Sequence, residues 1–87
     1  MKATIWKFPL EITDRQDIKM PGEPKILSVG LDPKGVPCLW ALVQPGNPEW
    51  RISVHIVGTG NPAENAVGQT FVGSFVEGPF VWHVFVN

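Results

Sequence analysis

The sequence predicts one small antiparallel all-β domain, a sandwich or open barrel of six to seven strands with at most one short helical turn. Three observations predict it. Nine Pro and nine Gly punctuate the 87 residues at short intervals, the spacing of turns between many short strands. Between them the apolar residues alternate with a period of two rather than 3.6. No repeat, linker or shift of composition divides the chain, so residues 1–87 read as a single β domain.

The elements follow in order. Thr4 to Phe8 is a strand with Thr4, Trp6 and Phe8 on one face and Ile5 and Lys7 on the other. Pro9 lacks a backbone donor and ends it or marks a sheet edge. After a polar link at Thr13–Gln16, Gln16 to Met20 is a weaker strand with Ile18 and Met20 in alternation, stopped by Pro21-Gly22-Glu23-Pro24. Ile26 to Leu31 places Leu27, Val29 and Leu31 in phase, and Asp32-Pro33-Lys34-Gly35 turns the chain with Pro fixing φ and Gly supplying a left-handed residue. Val36 to Val43 is apolar on both faces, Cys38, Trp40 and Leu42 against Leu39, Ala41 and Val43, which predicts a central strand covered on both sides.

Trp50 to Val57 alternates most cleanly: Trp50, Ile52, Val54 and Ile56 inward, Arg51, Ser53 and His55 outward. In the loop that follows, Asn61 as cap, Pro62 at the first helical position and Glu64 at the third would open one helical turn that Gly68 ends. Gln69 to Val76 and Phe80 to Val86 make a last hairpin around Glu77-Gly78-Pro79. Phe71, Gly73 and Phe75 share one face; Phe80, Trp82, Val84 and Val86 share another, with His83 opposite.

Composition narrows the function. Seven basic and eight acidic residues are scattered singly for a net charge of -1, which argues against DNA or RNA, since those want clustered Lys and Arg. No apolar run approaches the ~20 residues of a membrane span, and the first residues lack the apolar stretch of a signal peptide; a cytoplasmic protein is expected. A chain this short buries roughly 60% of its unfolded surface and usually needs reinforcement. Cys38 is the only cysteine and the two histidines stand on separate segments, so neither a disulfide nor a metal site is expected. Self-association is. Four Trp and five Phe exceed what so small a core hides, and the surplus goes to an interface or a pocket.

No catalytic set is legible and no cofactor is expected. Cys38 lies on an apolar strand where a thiol is inert. Glu11, Asp14 and Asp17 share a polar turn without the cleft that acid–base work needs. Binding chemistry is easier to place. Gly58-Thr59-Gly60-Asn61 reads either as a plain tight loop or as a cup whose N–H groups hold an anion. Arg51 and His55, with Ser53 between them, make a donor patch that either faces water or is covered by a ligand or a second subunit. His83 sits between Trp82 and Val84 and reads as a hydrogen-bonded structural histidine.

Several strings together resemble a known family: Ile5-Trp6-Lys7-Phe8-Pro9-Leu10, Ile12-Thr13-Asp14-Arg15-Gln16, Val36-Pro37-Cys38-Leu39-Trp40-Ala41-Leu42-Val43, Val57-Gly58-Thr59-Gly60 with Pro62, and Trp82-His83-Val84-Phe85. In order and spacing they are similar to small uncharacterised proteins of tailed bacteriophages, over essentially the whole chain. The resemblance implies a phage accessory protein in the cytoplasm of the host. By analogy with other small oligomeric phage proteins, it further implies a sponge that sequesters a nucleotide signal of host anti-phage defence. Arg51, His55, Gly58, Thr59, Gly60, Asn61 and His83 would meet phosphates and polar edges, and Trp40 and Trp82 would stack on bases. Asn61 departs from the histidine common there, which puts ligand specificity in doubt. The competing expectation is a protein-binding module, an inhibitor of a host enzyme or a minor virion component, that uses an exposed apolar sheet face.

Overall fold

Alternating apolar residues and frequent turns do produce strands throughout. The computed structural model describes residues 2–87, and these form β1 (Thr4–Pro9), β2 (Arg15–Pro21), β3 (Lys25–Leu31), β4 (Pro37–Val43), β5 (Glu49–Gly58), β6 (Thr70–Glu77) and β7 (Phe80–Val86). A single 3-10 turn, Glu64–Ala66, interrupts them. The strands make two antiparallel sheets, ordered β1-β4-β3 and β2-β5-β7-β6, and no barrel closes. The edge strands β3 and β6 approach each other at one corner. There a Cβ on Gly73 would stand 3.0 Å from Val29 Cγ1, so the missing side chain of Gly73 is what lets the sheets meet.

The core lies between the inner faces. Leu39, Ala41 and Val43 of β4 face Ile52, Val54 and Ile56 of β5, with Met20, Phe75, Val84 and Val86 around them. Fully burying an aliphatic side chain of this size is worth about 1.5–3 kcal/mol, and β4 and β5 contribute most of those present. Phe8, Ile18 and Trp82 pack at its margin.

Turn chemistry holds the β3–β4 hairpin as expected. Gly35 has φ +81°, its N–H donates to Asp32 O at 2.8 Å, and Asp32 N–H donates to Val36 O at 2.9 Å. Asp32 Oδ1 accepts the N–H groups of Lys34 and Val36, both at 2.9 Å, and Lys7 Nζ donates to its Oδ2 at 2.9 Å. The Lys7 ammonium and these N–H groups hold the Asp32 carboxyl below the ordinary carboxylate range. The same pair raises Lys7. Burial pushes the Cys38 thiol up, as suits an inert core sulfur.

Five expectations need correction. A bulge between Ile26 and Ser28 resets the phase of β3: Ile26 and Val29 pack on the core while Leu27 stays exposed, and Leu31, in phase with Val29, is exposed at the strand end. A second bulge, between Phe71 and Gly73, sends Phe71 to the outer face beside Phe85, ring centroids 5.3 Å apart. Gly73 and Phe75 remain inside. β4 is central in its sheet but only partly covered on its second face, where Cys38 is buried and Leu42 is exposed. Trp50 belongs to the inner face by register with the buried Met20, yet it lies near the start of β5 and is itself exposed. The helical turn starts later than Asn61 and Pro62 imply. Ala63 precedes it without a side-chain cap, while Gly68, at φ +84°, follows it.

Candidate functional site

A difference in strand length creates the site. β2 begins at Arg15, opposite His55, so the last three residues of β5 extend beyond it. Only one bond continues the ladder, from Ile56 N–H to Asp14 O at 3.3 Å. The link before β2 is pinned by Gln16, whose side chain donates to Glu11 O at 2.6 Å and accepts from Glu11 N–H at 3.2 Å. This sets Asp14 beside the free edge of β5. The chain leaving β5 then folds back along that edge as Asn61–Asn65, and a cleft of about 340 Å³ remains between them, lined by Asp14, His55, Asn61, Glu64 and Trp82 among others.

A second cleft, about 400 Å³, opens on the other side of the same loop, with Thr59, Phe80 and Val81 in its wall. Gly58, Asn61 and Trp82 line both. Gly58 is opposite Trp82 in the β5–β7 ladder. A Cβ there would lie 3.0 Å from Trp82 Cζ3 and 2.8 Å from Asn61 Nδ2, so glycine lets the indole and the amide lie over the strand. Phe80 and Trp82 share the inner face of β7 with centroids 5.7 Å apart and planes tilted by 34°. That spacing is too close to clamp a ring between them; a planar ligand would lie against their edge or one face.

Two polar atoms here have no partner. His55 is on the outer face of β5 but only 9% exposed, and its Nδ1 is buried without a hydrogen bond. Trp82 Nε1, an obligate donor, is buried and unpartnered too. Gln69 Oε1 is the remaining such side-chain atom among the described residues. Buried polar atoms are nearly always satisfied, and exceptions point to function or to a missing small molecule.

Two of the N–H groups that an anion cup in the Gly-Thr-Gly loop would use are taken up by the turn itself. Thr59 N–H donates to Val81 O at 3.1 Å and Asn61 N–H to Gly58 O at 3.0 Å, so both are spent on the turn, with Gly60 at its tip (φ +85°). Thr59 Oγ1 instead meets His83 Nε2 at 2.7 Å, and Ser74 Oγ meets His83 Nδ1 at 2.8 Å. Both ring nitrogens are therefore satisfied by hydroxyls, the structural role expected of His83. The Thr59–His83–Ser74 chain has the order of a nucleophile, a base and an orienting group. Its third member carries no charge to stabilise an imidazolium, and its effect is to tie the loop to β6 and β7.

Of the residues singled out from sequence, His55, Gly58, Thr59, Asn61 and Trp82 come together, with His83 behind Thr59 and Gly60 at the turn. Arg51 does not join them: it pairs with Lys19, four residues and so about 13 Å along the strand from His55. Trp40 lies on the outer face of the other sheet, over Gly30. The cation nearest in register is Arg15, opposite His55 but outside the lining of the first cleft, its guanidinium held over the strands by Asp17 Oδ1 at 3.4 Å and Ser53 Oγ at 3.2 Å. Sequence reasoning missed Arg15, Asp14 and Glu64 because their relation to His55 depends on strand pairing. The one available signal was that the Asp14-Arg15 pair directly precedes a strand.

Among the described residues no group of three or more His, Cys, Asp or Glu is placed to hold a metal ion, and no helix is long and apolar enough to cross a membrane. The fold and clefts define a seven-stranded all-β domain with a partly unsatisfied polar recess beside an aromatic edge. The chain belongs to the family DUF7352, a domain of unknown function, which matches residues 1–87. Neither a curated protein nor a solved structure matches it.

Proposed function

We propose that the protein is a non-enzymatic, self-associating binder that holds a small nucleotide in the paired clefts around Asn61 and Trp82. The observation that carries this is that His55 and Trp82, which line one cleft, each hold a buried polar atom without a partner, Nδ1 and Nε1. A ligand that supplies hydrogen bonds to them removes a cost of about 1–3 kcal/mol per group, while Phe80 and Trp82 offer a base an aromatic surface. Self-association rests on the apolar residues left on the outer faces, Ile5 and Leu42 on one sheet and Phe71, Val76 and Val81 on the other. The biological role we assign, sequestering a nucleotide signal of anti-phage defence in the host cytoplasm, follows from the resemblance to phage proteins.

The test is thermal unfolding against cyclic dinucleotides and cyclic ADP-ribose isomers, together with native mass spectrometry of protein purified from bacteria. A ligand held only by the folded state raises Tm by mass action, by about 2.7 kcal/mol of stability at a hundred times Kd. An unchanged melt across that panel, with no retained small molecule, sinks the proposal.

The outer face of the larger sheet favours a second reading, a module that binds a host enzyme or a virion protein. Its apolar residues Phe71, Val76 and Val81 are exposed around the hydrogen-bonded Ser74–His83 pair. A stoichiometric partner that is lost in a Val76→Asp, Val81→Asp double variant, with no nucleotide bound, selects it.

A further inference from the structure

Taking the nucleotide reading as its basis, we infer that the ligand enters nucleoside first: ribose against Asp14 and Glu64 in the smaller cleft, base on the Phe80–Trp82 side, phosphates left outside toward Arg15. The charges on the cleft walls set this direction. Asp14 and Glu64 are the charged residues lining the smaller cleft, and no Lys or Arg lines either one. A phosphate inside would face two carboxylates and no cation on the cleft wall, and like charges repel. Nor does the loop offset them, since the N–H groups of Thr59 and Asn61 are already bonded.

The same wall suits hydroxyl groups. A carboxylate accepts hydrogen bonds only, and a ribose diol presents two donors, the recognition that acidic residues perform in dinucleotide-binding folds. Acidic residues alone would not make a site. Here a second observation stands beside them: His55, 9% exposed, lines this cleft with Nδ1 unpartnered. A neutral imidazole nitrogen accepts or donates according to tautomer, so it serves a hydroxyl or a base edge equally. The Asn61 and Asn65 side chains add amide groups to the wall. In the larger cleft the wall holds no charged residue and carries Phe80 and Trp82, the surface a base requires. Arg15 is opposite His55 in register, and its guanidinium is largely exposed. It lies outside the cleft lining, bonded to Asp17 and Ser53.

Calorimetry and thermal shift with adenosine, guanosine, their 2′,3′-dideoxy analogues, the matching 5′-monophosphates, a cyclic dinucleotide and inorganic pyrophosphate test the direction. The preferred ribonucleoside should bind within about tenfold of its nucleotide, and its dideoxy analogue at least tenfold more weakly. Asp14→Asn with Glu64→Gln should weaken the ribonucleoside about tenfold or more. Arg15→Ala should weaken the nucleotide alone. Nucleotide binding without nucleoside binding, pyrophosphate competing for the cleft, or tighter nucleotide binding by the Asn/Gln variant overturns the inference and leaves the nucleotide reading intact. Silence from every nucleoside and nucleotide overturns both.

Discussion

Two buried polar residues of nearly equal exposure are treated in opposite ways. Asp32, 8% exposed, receives Lys7 and two backbone N–H groups, and its carboxylate is fully used in closing a hairpin. His55, 9% exposed, keeps Nδ1 without a partner in the wall of a cleft. One is part of the architecture; the other leaves a demand for a molecule from outside. The difference arises from the local chain. Around Asp32 a four-residue turn folds its own donors onto the carboxylate, whereas His55 stands at the point where β2 begins and the ladder gives out.

Substitutions test this contrast from the largest expected effect to the smallest. Asp32→Ala should cause the greatest loss of stability of the set, because it leaves Lys7 and two N–H groups without their acceptor; chemical denaturation reads it as a lowered midpoint at unchanged slope. Gly58→Ala comes next, at about 1–3 kcal/mol, since the new methyl meets the Trp82 ring; nucleotide-induced stabilisation should vanish with it. His55→Phe should move the other way. Replacing an unsatisfied buried polar group by an apolar one of similar shape is neutral or stabilising, by up to about 1 kcal/mol, so Tm without ligand should hold or rise while the ligand shift is lost. A fall like that of Asp32→Ala would erase the contrast. Thr59→Val should show the smallest of the destabilising effects, about 0.5–1.5 kcal/mol for one hydrogen bond to His83.

Acidity sharpens the same comparison. The folded state lowers the Asp32 pKa, so its contribution is complete above the ordinary carboxylate range and is lost as pH falls toward the folded value. The Lys7 pKa is raised, so its contribution is complete below the ordinary lysine range and is lost as pH climbs through the folded value. Tm measured from pH 2 to 7 should show an acid limb that Asp32→Asn flattens, and high salt should weaken it because Lys7 is partly exposed.

Strand positions and turns were readable from residue order because alternation and Gly/Pro chemistry act over a few neighbours. Asp32-Pro33-Lys34-Gly35 formed the turn its residues specify. Two of the errors fell where one residue is inserted. The bulges in β3 and β6 reversed the facing of Leu27 and Phe71, and alternation carries no mark of an inserted residue. The site was half legible. Glycine, asparagine and tryptophan types drew attention to Gly58, Asn61 and Trp82, while Arg51 was chosen for its charge and proved to stand at the wrong end of its strand.

Local sequence, then, determined that the chain forms short antiparallel strands, where they turn, and that more aromatic surface exists than a small core encloses. Tertiary pairing decided which end of β5 is left without a neighbour, which cation faces His55, and which N–H groups remain free. Those outcomes depend on registers between segments some forty residues apart, and no local preference encodes a register: it is set by all the contacts of both sheets at once.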